Sequence, residues 1–318
     1  MKSTNSVSQF SLFLIFVRRR ENEVCQQKNS KKPKTIYLAD LNVFSGIFIT
    51  TKVEKLKAKA KEIRIELLKL IHKAKSGHPG GSLSATEIMV ALFYHHMKYD
   101  AKKPDWPDRD RFILSKGHCT PVLYTVFADV GYFPKEELKT FRRLGRLTGH
   151  PNPKLPGVEI ATGSLGQGLS AGHGMALAGK LDGKDYRVYV LLGDGELNEG
   201  SVWEAVMSAA QFKSDNLIAI VDNNRVAQDS ITSKLKEVEP VDKKFEAFGW
   251  HAIRINGHDI PAIIDALEDA AEVKGKPTVI VADTIKGKGV SFMEGQNKWH
   301  GKAPNDEQLK QALEELNG

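Results

Sequence analysis

Residues 186–196 read YRVYVLLGDGE, and this stretch decides the fold. Seven residues, apolar but for Arg187 and rich in Val, Tyr and Leu, run into an abrupt Gly-Asp-Gly break. A short apolar run ended by a turn signal is a strand buried on both faces. Residues 217–224, LIAIVDNN, repeat the form: an apolar strand that ends in polar residues. Between the two, residues 199–213 read as a helix. Strand, helix, strand makes a right-handed crossover, so the two strands lie parallel. Further on, 251–256 reads as a third strand, 260–273 as a helix capped by Asp259, and 277–283 as a fourth strand. The fold class is therefore α/β: three layers, with a doubly wound, mainly parallel sheet. Ligands of such sheets sit beyond the carboxyl ends of the strands, so the loops after residues 192, 222, 256 and 283 are the first places to look.

Towards the N-terminus, Val53, Leu56, Ala60, Ile63, Leu67, Leu70, Ile71 and Ala74 recur at three- and four-residue intervals, which predicts a long amphipathic helix. Residues 76–81, SGHPGG, break it, and 84–97 resume a helical pattern. Residues 100–162 read as a loop-rich stretch with short helical segments. Residues 51–318 are expected to form one domain. Residues 1–50 do not conform. Their apolar runs, 10–17 and 41–50, are too short to span a bilayer, and Arg18-Arg19-Arg20 follows the first run where a secretory signal would place its charge before it. A disordered extension is expected there, without a membrane anchor.

The net charge of +7 is concentrated in that extension: eight basic and three acidic residues give it +5, leaving +2 for the rest. A nearly neutral body argues against a nucleic-acid face. Two distant cysteines, Cys25 and Cys119, suggest neither a disulfide framework nor a zinc site, and a reducing, cytoplasmic setting fits. Cys119 reads as a small packed residue beside Gly117 and His118.

Two of the four loops carry the chemistry. Gly193 and Gly195 let the backbone approach phosphate oxygens, and the helix that follows offers free N–H groups. Asp194 supplies a hard carboxylate and Asn224 a neutral amide oxygen. With the Val226 carbonyl, two phosphate oxygens and a water, six oxygens complete an octahedron suited to magnesium.

GDG, an intervening stretch of 27 residues, then NN resembles the signature of thiamine-diphosphate enzymes. Further motifs resemble transketolase in particular, in the order that family has them: SGHPGG (76–81), SKGH (115–118), GHP (149–151), TGSLGQG (162–168), AQ (227–228), GHD (257–259), KGKG (286–289) and WHG (299–301). The resemblance covers roughly residues 55–305 and implies the thiamine-diphosphate-binding fold. It implies thiamine diphosphate and Mg2+ as cofactors, with Ca2+ or Mn2+ able to substitute. Asp194, Asn224 and the Val226 carbonyl then match the metal ligands, and Gly195 would meet the diphosphate. Gly163, Ser164 and Leu165 match a loop against the aminopyrimidine and thiazolium rings. His118, Gln228 and Lys286 match further cofactor contacts. His78, His150 and His300 match histidines that bond sugar hydroxyls and relay protons, with His300 also near the cofactor. Glu199 matches an acidic residue at a cofactor-sharing interface, or is an ordinary helix-terminal carboxylate. His258 reads as a turn-fixing residue. Gly81 departs from the pattern, replacing a hydroxyl residue that some transketolases place near the cofactor, and Ser164 stands where proline is common.

The implied reaction is transfer of a two-carbon ketol unit between sugar phosphates. A full transketolase carries a second domain, with a glutamate that activates the cofactor, and a C-terminal domain. Neither is expected in this chain, so a C-terminal partner subunit is, in an α2β2 heterotetramer within the pentose phosphate pathway. A different split thiamine-diphosphate enzyme and a non-catalytic cofactor-binding paralogue are the competing readings.

Overall fold

A computed structural model gives the fold of the chain; it describes residues 38–318, with side chains from Thr51 onward. The chain divides into two units, Met1–Ile49 and Thr50–Gly318. The extension expected over residues 1–50 lies outside the described residues as far as 37, and over 38–50 only a helical backbone is described. Helix α1 is Leu38–Ala74. Its predicted apolar positions Leu56, Ala60, Ile63, Leu67, Leu70 and Ile71 are all buried.

Five strands, β1 (Arg111–Leu114), β2 (Val188–Gly193), β3 (Leu217–Asn223), β4 (His251–Asn256) and β5 (Thr278–Asp283), form one sheet in the order β1-β2-β3-β5-β4. Every pairing is parallel. Side chains alternate across a strand, and the two faces feed two separate cores. Tyr189, Leu191, Ile218, Ile220 and Ile280 join the core that includes α1, α3 (Thr86–Ala91), α4 (Thr120–Val130) and α9 (Ile260–Glu272). Val190, Leu192, Ala219, Val221 and Val281 join the other, with α5 (Gln167–Leu181), α6 (Gly200–Gln211) and α8 (Val241–Ala247). The short helices α2 (Pro79–Ser84) and α7 (Thr232–Leu235) and the terminal α10 (Asp306–Asn317) complete the set. Three layers and a parallel sheet were the expectation.

Three local readings need correction. Strand β1 lies inside the stretch read as loop and short helix. Four residues, RFIL, preceded by charge and proline, are too few for periodicity to register. Residues 84–97 do not form one amphipathic helix. They split into α2, α3 and a π-helical turn, Leu92–His96, and are buried through Phe93 on every side. Asp259 stands at the N-cap of α9, but its side chain makes no capping bond. Helix α5, which the motif reading left without an assignment, lies against β2: a Cβ at Gly172 would come within 2.5 Å of Val190 Cγ2.

One buried polar cluster ties α1 to the loop after β5. Arg64, 6% exposed, pairs with Glu87 at 2.6 Å and donates from Nε to the Lys288 carbonyl. The Ile285 N–H donates to His258 Nε2, so His258 carries its proton on Nδ1, which meets Glu87 at 3.0 Å. The Gly287 N–H donates to the Gly80 carbonyl. The loop 285–288 is therefore fastened on both sides of Lys286, and the His258 ring holds this loop rather than the turn before α9 that it was expected to fix. Removing one partner of a buried pair strands the other charge, at a cost of about 3–5 kcal/mol. Glu87→Ala should lower the urea midpoint of the chain accordingly. An unchanged midpoint would show that the cluster is not a constraint.

Candidate active site

Parallel register brings the two decisive loops together. Gly193 of β2 stands opposite Asp222 of β3, and the Asp194 N–H donates to the Asp222 carbonyl at 3.3 Å. Residues separated by a whole helix in sequence thereby meet at neighbouring carboxyl ends. Around them lies a cleft of about 370 Å³.

Asp194 is 3% exposed. Its carboxylate accepts from the Gly195 N–H at 2.8 Å and the Arg225 N–H at 2.5 Å. Burial, with Asp222 nearby, pushes its carboxyl up to about 6. Across from it, Asn224 Oδ1 accepts from the Val226 N–H, which folds the chain after β3 into a tight turn with Arg225 at a positive φ of 60°. The Val226 and Ala227 carbonyls both accept from the Lys286 ammonium, at 2.7 and 3.0 Å. A buried carboxylate in want of a counter-charge, an amide oxygen and carbonyls that already hold a cation form a donor set that fits a hard divalent metal. Among the described residues no group of three His, Cys, Asp or Glu side chains could hold one. The donors here are mostly neutral oxygens instead.

Beneath the loops lies a charged pair without access to water. Asp222 is 0% exposed and Lys116 2%, and the two are in direct contact. Asp222 also accepts from Ser84 and Thr284, and Lys116 donates to the Gly81 carbonyl at 3.0 Å. Glu196, 1% exposed, accepts from Ser115 at 2.5 Å and from the backbone N–H groups of Gly166 and Gly193. It fastens the 163–166 loop to the end of β2.

Three imidazoles crowd the same cleft. His78 lies 5.2 Å from His118 and 5.4 Å from His300, centroid to centroid, and His118 stacks on His300 at 4.9 Å. Burial, with cations behind the rings, keeps them neutral: His78 is lowered to about 4 and His300 to about 3, while His118 falls well below its ordinary range. His150 is lowered too, by burial and then by Arg142. Lys286, pushed down to about 8 by burial, donates to His300 Nδ1 at 3.0 Å, which leaves the His300 proton on Nε2.

Nearly all the residues singled out in sequence line this one cleft: His78, His118, His150, Gly163, Leu165, Asp194, Gly195, Asn224, Val226, Gln228, Lys286 and His300. Ser164, between Gly163 and Leu165, is exposed and is not among the residues that line it. Glu199 is exposed at the N-cap of α6. His173 bonds Ser208 and Ser214 and does not line the cleft. Sequence reasoning missed Lys116, Glu196 and Asp222 as individual site residues. Lys116 was visible only as part of SKGH, and its role depends on a strand, β1, that was not read.

The departure at Gly81 has a steric cause. A Cβ there would lie 2.8 Å from Cys119 Sγ and 3.6 Å from both His118 Nε2 and Lys116 Nζ. The wholly buried thiol packs behind this glycine, which itself lines the cleft. Overpacking such a site costs about 1–3 kcal/mol. Gly81→Ser should lower the melting temperature, and Gly81→Ser with Cys119→Ala should recover most of the loss. Additive losses in the double variant would show that the two residues are not coupled.

Fold and cleft define an α/β domain whose glycine-rich and polar loops meet at the carboxyl ends of β2 and β3. A model of the family "Transketolase, thiamine diphosphate binding domain" matches residues 55–317, and the chain belongs to that family. Rat transketolase is 45% identical over 267 residues, covering 83% of this chain and 42% of the relative. The chain thus spans about two fifths of the length of such curated relatives. It spans 95% of an apulose-4-phosphate transketolase subunit from Phocaeicola vulgatus, at 41% identity and 83% of its own length. It spans 96% of the "6-deoxy-6-sulfo-D-fructose transketolase subunit SqwG" of a Clostridium species, at 44% identity and 82% of its own length. Among solved structures, transketolase from Campylobacter jejuni superposes with a TM-score of 0.80 at 39% identity, covering 83% of this chain and 43% of that one. The fold expectation is met, and so is the family resemblance.

Proposed function

We propose that the chain is the diphosphate-binding subunit of a two-chain transketolase, which with a C-terminal partner moves a two-carbon ketol unit from a ketose phosphate to an aldose phosphate. The observation that carries this reading is the meeting of GDG and NN beneath three neutral imidazoles in one cleft. Two relatives that this chain spans almost from end to end are named as transketolase subunits.

In this reading Asp194, Asn224 and the Val226 carbonyl hold Mg2+, for which Ca2+ or Mn2+ can substitute. The Gly195 backbone and Lys286 meet the diphosphate, His118 and Gln228 lie along the cofactor, and Gly163, Ser164 and Leu165 border its rings. Thiamine diphosphate, when bound, supplies the electron sink that lets a carbon–carbon bond beside a carbonyl break. The chain's own residues bind, orient and manage protons. His78 and His300, each with Nδ1 turned to a cation, can donate from Nε2–H to a sugar oxygen, and His150 can accept a proton from a sugar hydroxyl. Keeping them uncharged also spares repulsion with a cationic ring.

Glu196, the glutamate that lines the cleft, is already engaged by three donors. The resemblance to transketolase assigns the glutamate for the aminopyrimidine to the partner. Homologous folds pair about two-fold axes, which favours an α2β2 heterotetramer. Among the described residues no helix is long and apolar enough to cross a membrane. A cytoplasmic place in the pentose phosphate pathway completes the reading.

The test is reconstitution. The purified chain, thiamine diphosphate, Mg2+, xylulose 5-phosphate and ribose 5-phosphate should yield no sedoheptulose 7-phosphate until a chain resembling the remainder of transketolase is added. Asp194→Ala should abolish the restored activity. Turnover by the chain alone, or full activity of Asp194→Ala with the partner, would contradict the assignment.

A further inference from the structure

Arg142 has no place in the motifs, yet four observations converge on it. Its backbone adopts a left-handed φ of 54°, which costs a side-chain-bearing residue energy and persists only where the surroundings require it. Its N–H donates to the Leu147 carbonyl at 2.8 Å, closing the loop that leads to His150. Its guanidinium reaches inward, donating to Ser76 Oγ at 3.0 Å and lying 3.4 Å from His78 Nδ1. Finally, Gly149 is cut away to admit it: a Cβ there would stand 2.8 Å from the guanidinium carbon and one of its nitrogens.

We propose that Arg142 is a positioning residue for the substrate channel, fixing His78 in the tautomer that carries its proton on Nε2 and bracing the turn that presents His150. This deepens the transketolase reading and rests on it for the meaning of the two histidines. A guanidinium only donates, so a ring nitrogen facing it must be the acceptor. Nδ1 is that nitrogen, and Nε2 lies on the other edge of the ring, towards Gly301. Lys286 does the same for His300 from the opposite side, again with Nδ1 as acceptor. The channel would then present two imidazoles whose tautomers are each set by a cation behind them.

The surroundings of Arg142 show that its bonds are not those of an ordinary surface arginine. Its Nε is buried with no hydrogen-bond partner. No carboxylate pairs with it in any ion pair among the described residues, whereas Arg146 in the same loop is held by Glu137. The charged and titratable groups facing His78 are Arg142, His150 and Lys286, with the rings of His118 and His300 against it. After burial, Arg142 is the largest influence that keeps His78 neutral, and it acts likewise on His150. The positive charge is thus unneutralised on the side where it holds both imidazoles in the uncharged form.

The test uses the full chain labelled with 15N-histidine, without partner or cofactor, so its failure is distinct from failure of the transketolase reading. Two-bond 1H–15N correlation spectra report each imidazole's tautomer and titration. The wild type should show His78 as a single Nε2–H tautomer. In Arg142→Met that signature should give way to a tautomer mixture, and the His78 titration should rise by about one unit. Gly149→Ala, which displaces the guanidinium but leaves it in the chain, should mix the tautomers as well. Retention of the wild-type tautomer and titration in Arg142→Met overturns the proposal. If that variant does not fold, Gly149→Ala decides in the same way.

Discussion

The cleft depends on a carboxylate that water never reaches. Asp222 ends β3 with no exposure and draws in Lys116 from the turn after β1, Ser84 from α2, Thr284 from the loop after β5 and Asn224 from its own turn. Four segments distant in sequence are thus held to one point beneath the site. A buried ion pair is weak evidence for added stability, because desolvation offsets most of the attraction. Its effect is better seen as geometric. With Asp222 neutralised by Lys116, the neighbouring Asp194 has no cationic side chain bonded to it, and two backbone N–H groups orient it.

Electrostatics in the cleft then follow a division of labour. Burial first, and then the cations Lys116, Lys286 and Arg142, hold the rings neutral, and two of those cations set tautomers. The oxygen donors gather on the other side, at the ends of β2 and β3. In the proposed function, neutral imidazoles facing this oxygen set leave the cleft free to take an anion with its metal and still hydrogen-bond a neutral sugar. The fastening of the 285–288 loop by Arg64, Glu87 and His258 serves the same arrangement. It keeps the Lys286 ammonium on the Val226 and Ala227 carbonyls.

Much of this was legible in sequence because the central strands are short, apolar and sharply punctuated. YRVYVLL and LIAIVD are buried on both faces, so the strands β2 and β3 were readable, and the GDG and NN that end them marked the site. The edge strand β1 was not readable, since four residues among charges and prolines carry no period. The residues missed, Lys116, Asp222, Glu196 and Arg142, have one thing in common. Each works through partners distant in the chain, such as Gly81 and Asp222 for Lys116 or Ser76 and His78 for Arg142, and no local pattern encodes such meetings.

The central claim is that the ends of β2 and β3 form one metal–diphosphate site. It is tested most directly by anomalous diffraction from crystals grown with thiamine diphosphate and Mn2+. The account predicts a single manganese peak within bonding reach of the Asp194 carboxylate, the Asn224 amide oxygen and the Val226 carbonyl. A bound diphosphate whose manganese lies elsewhere, or touches none of the three, would contradict it.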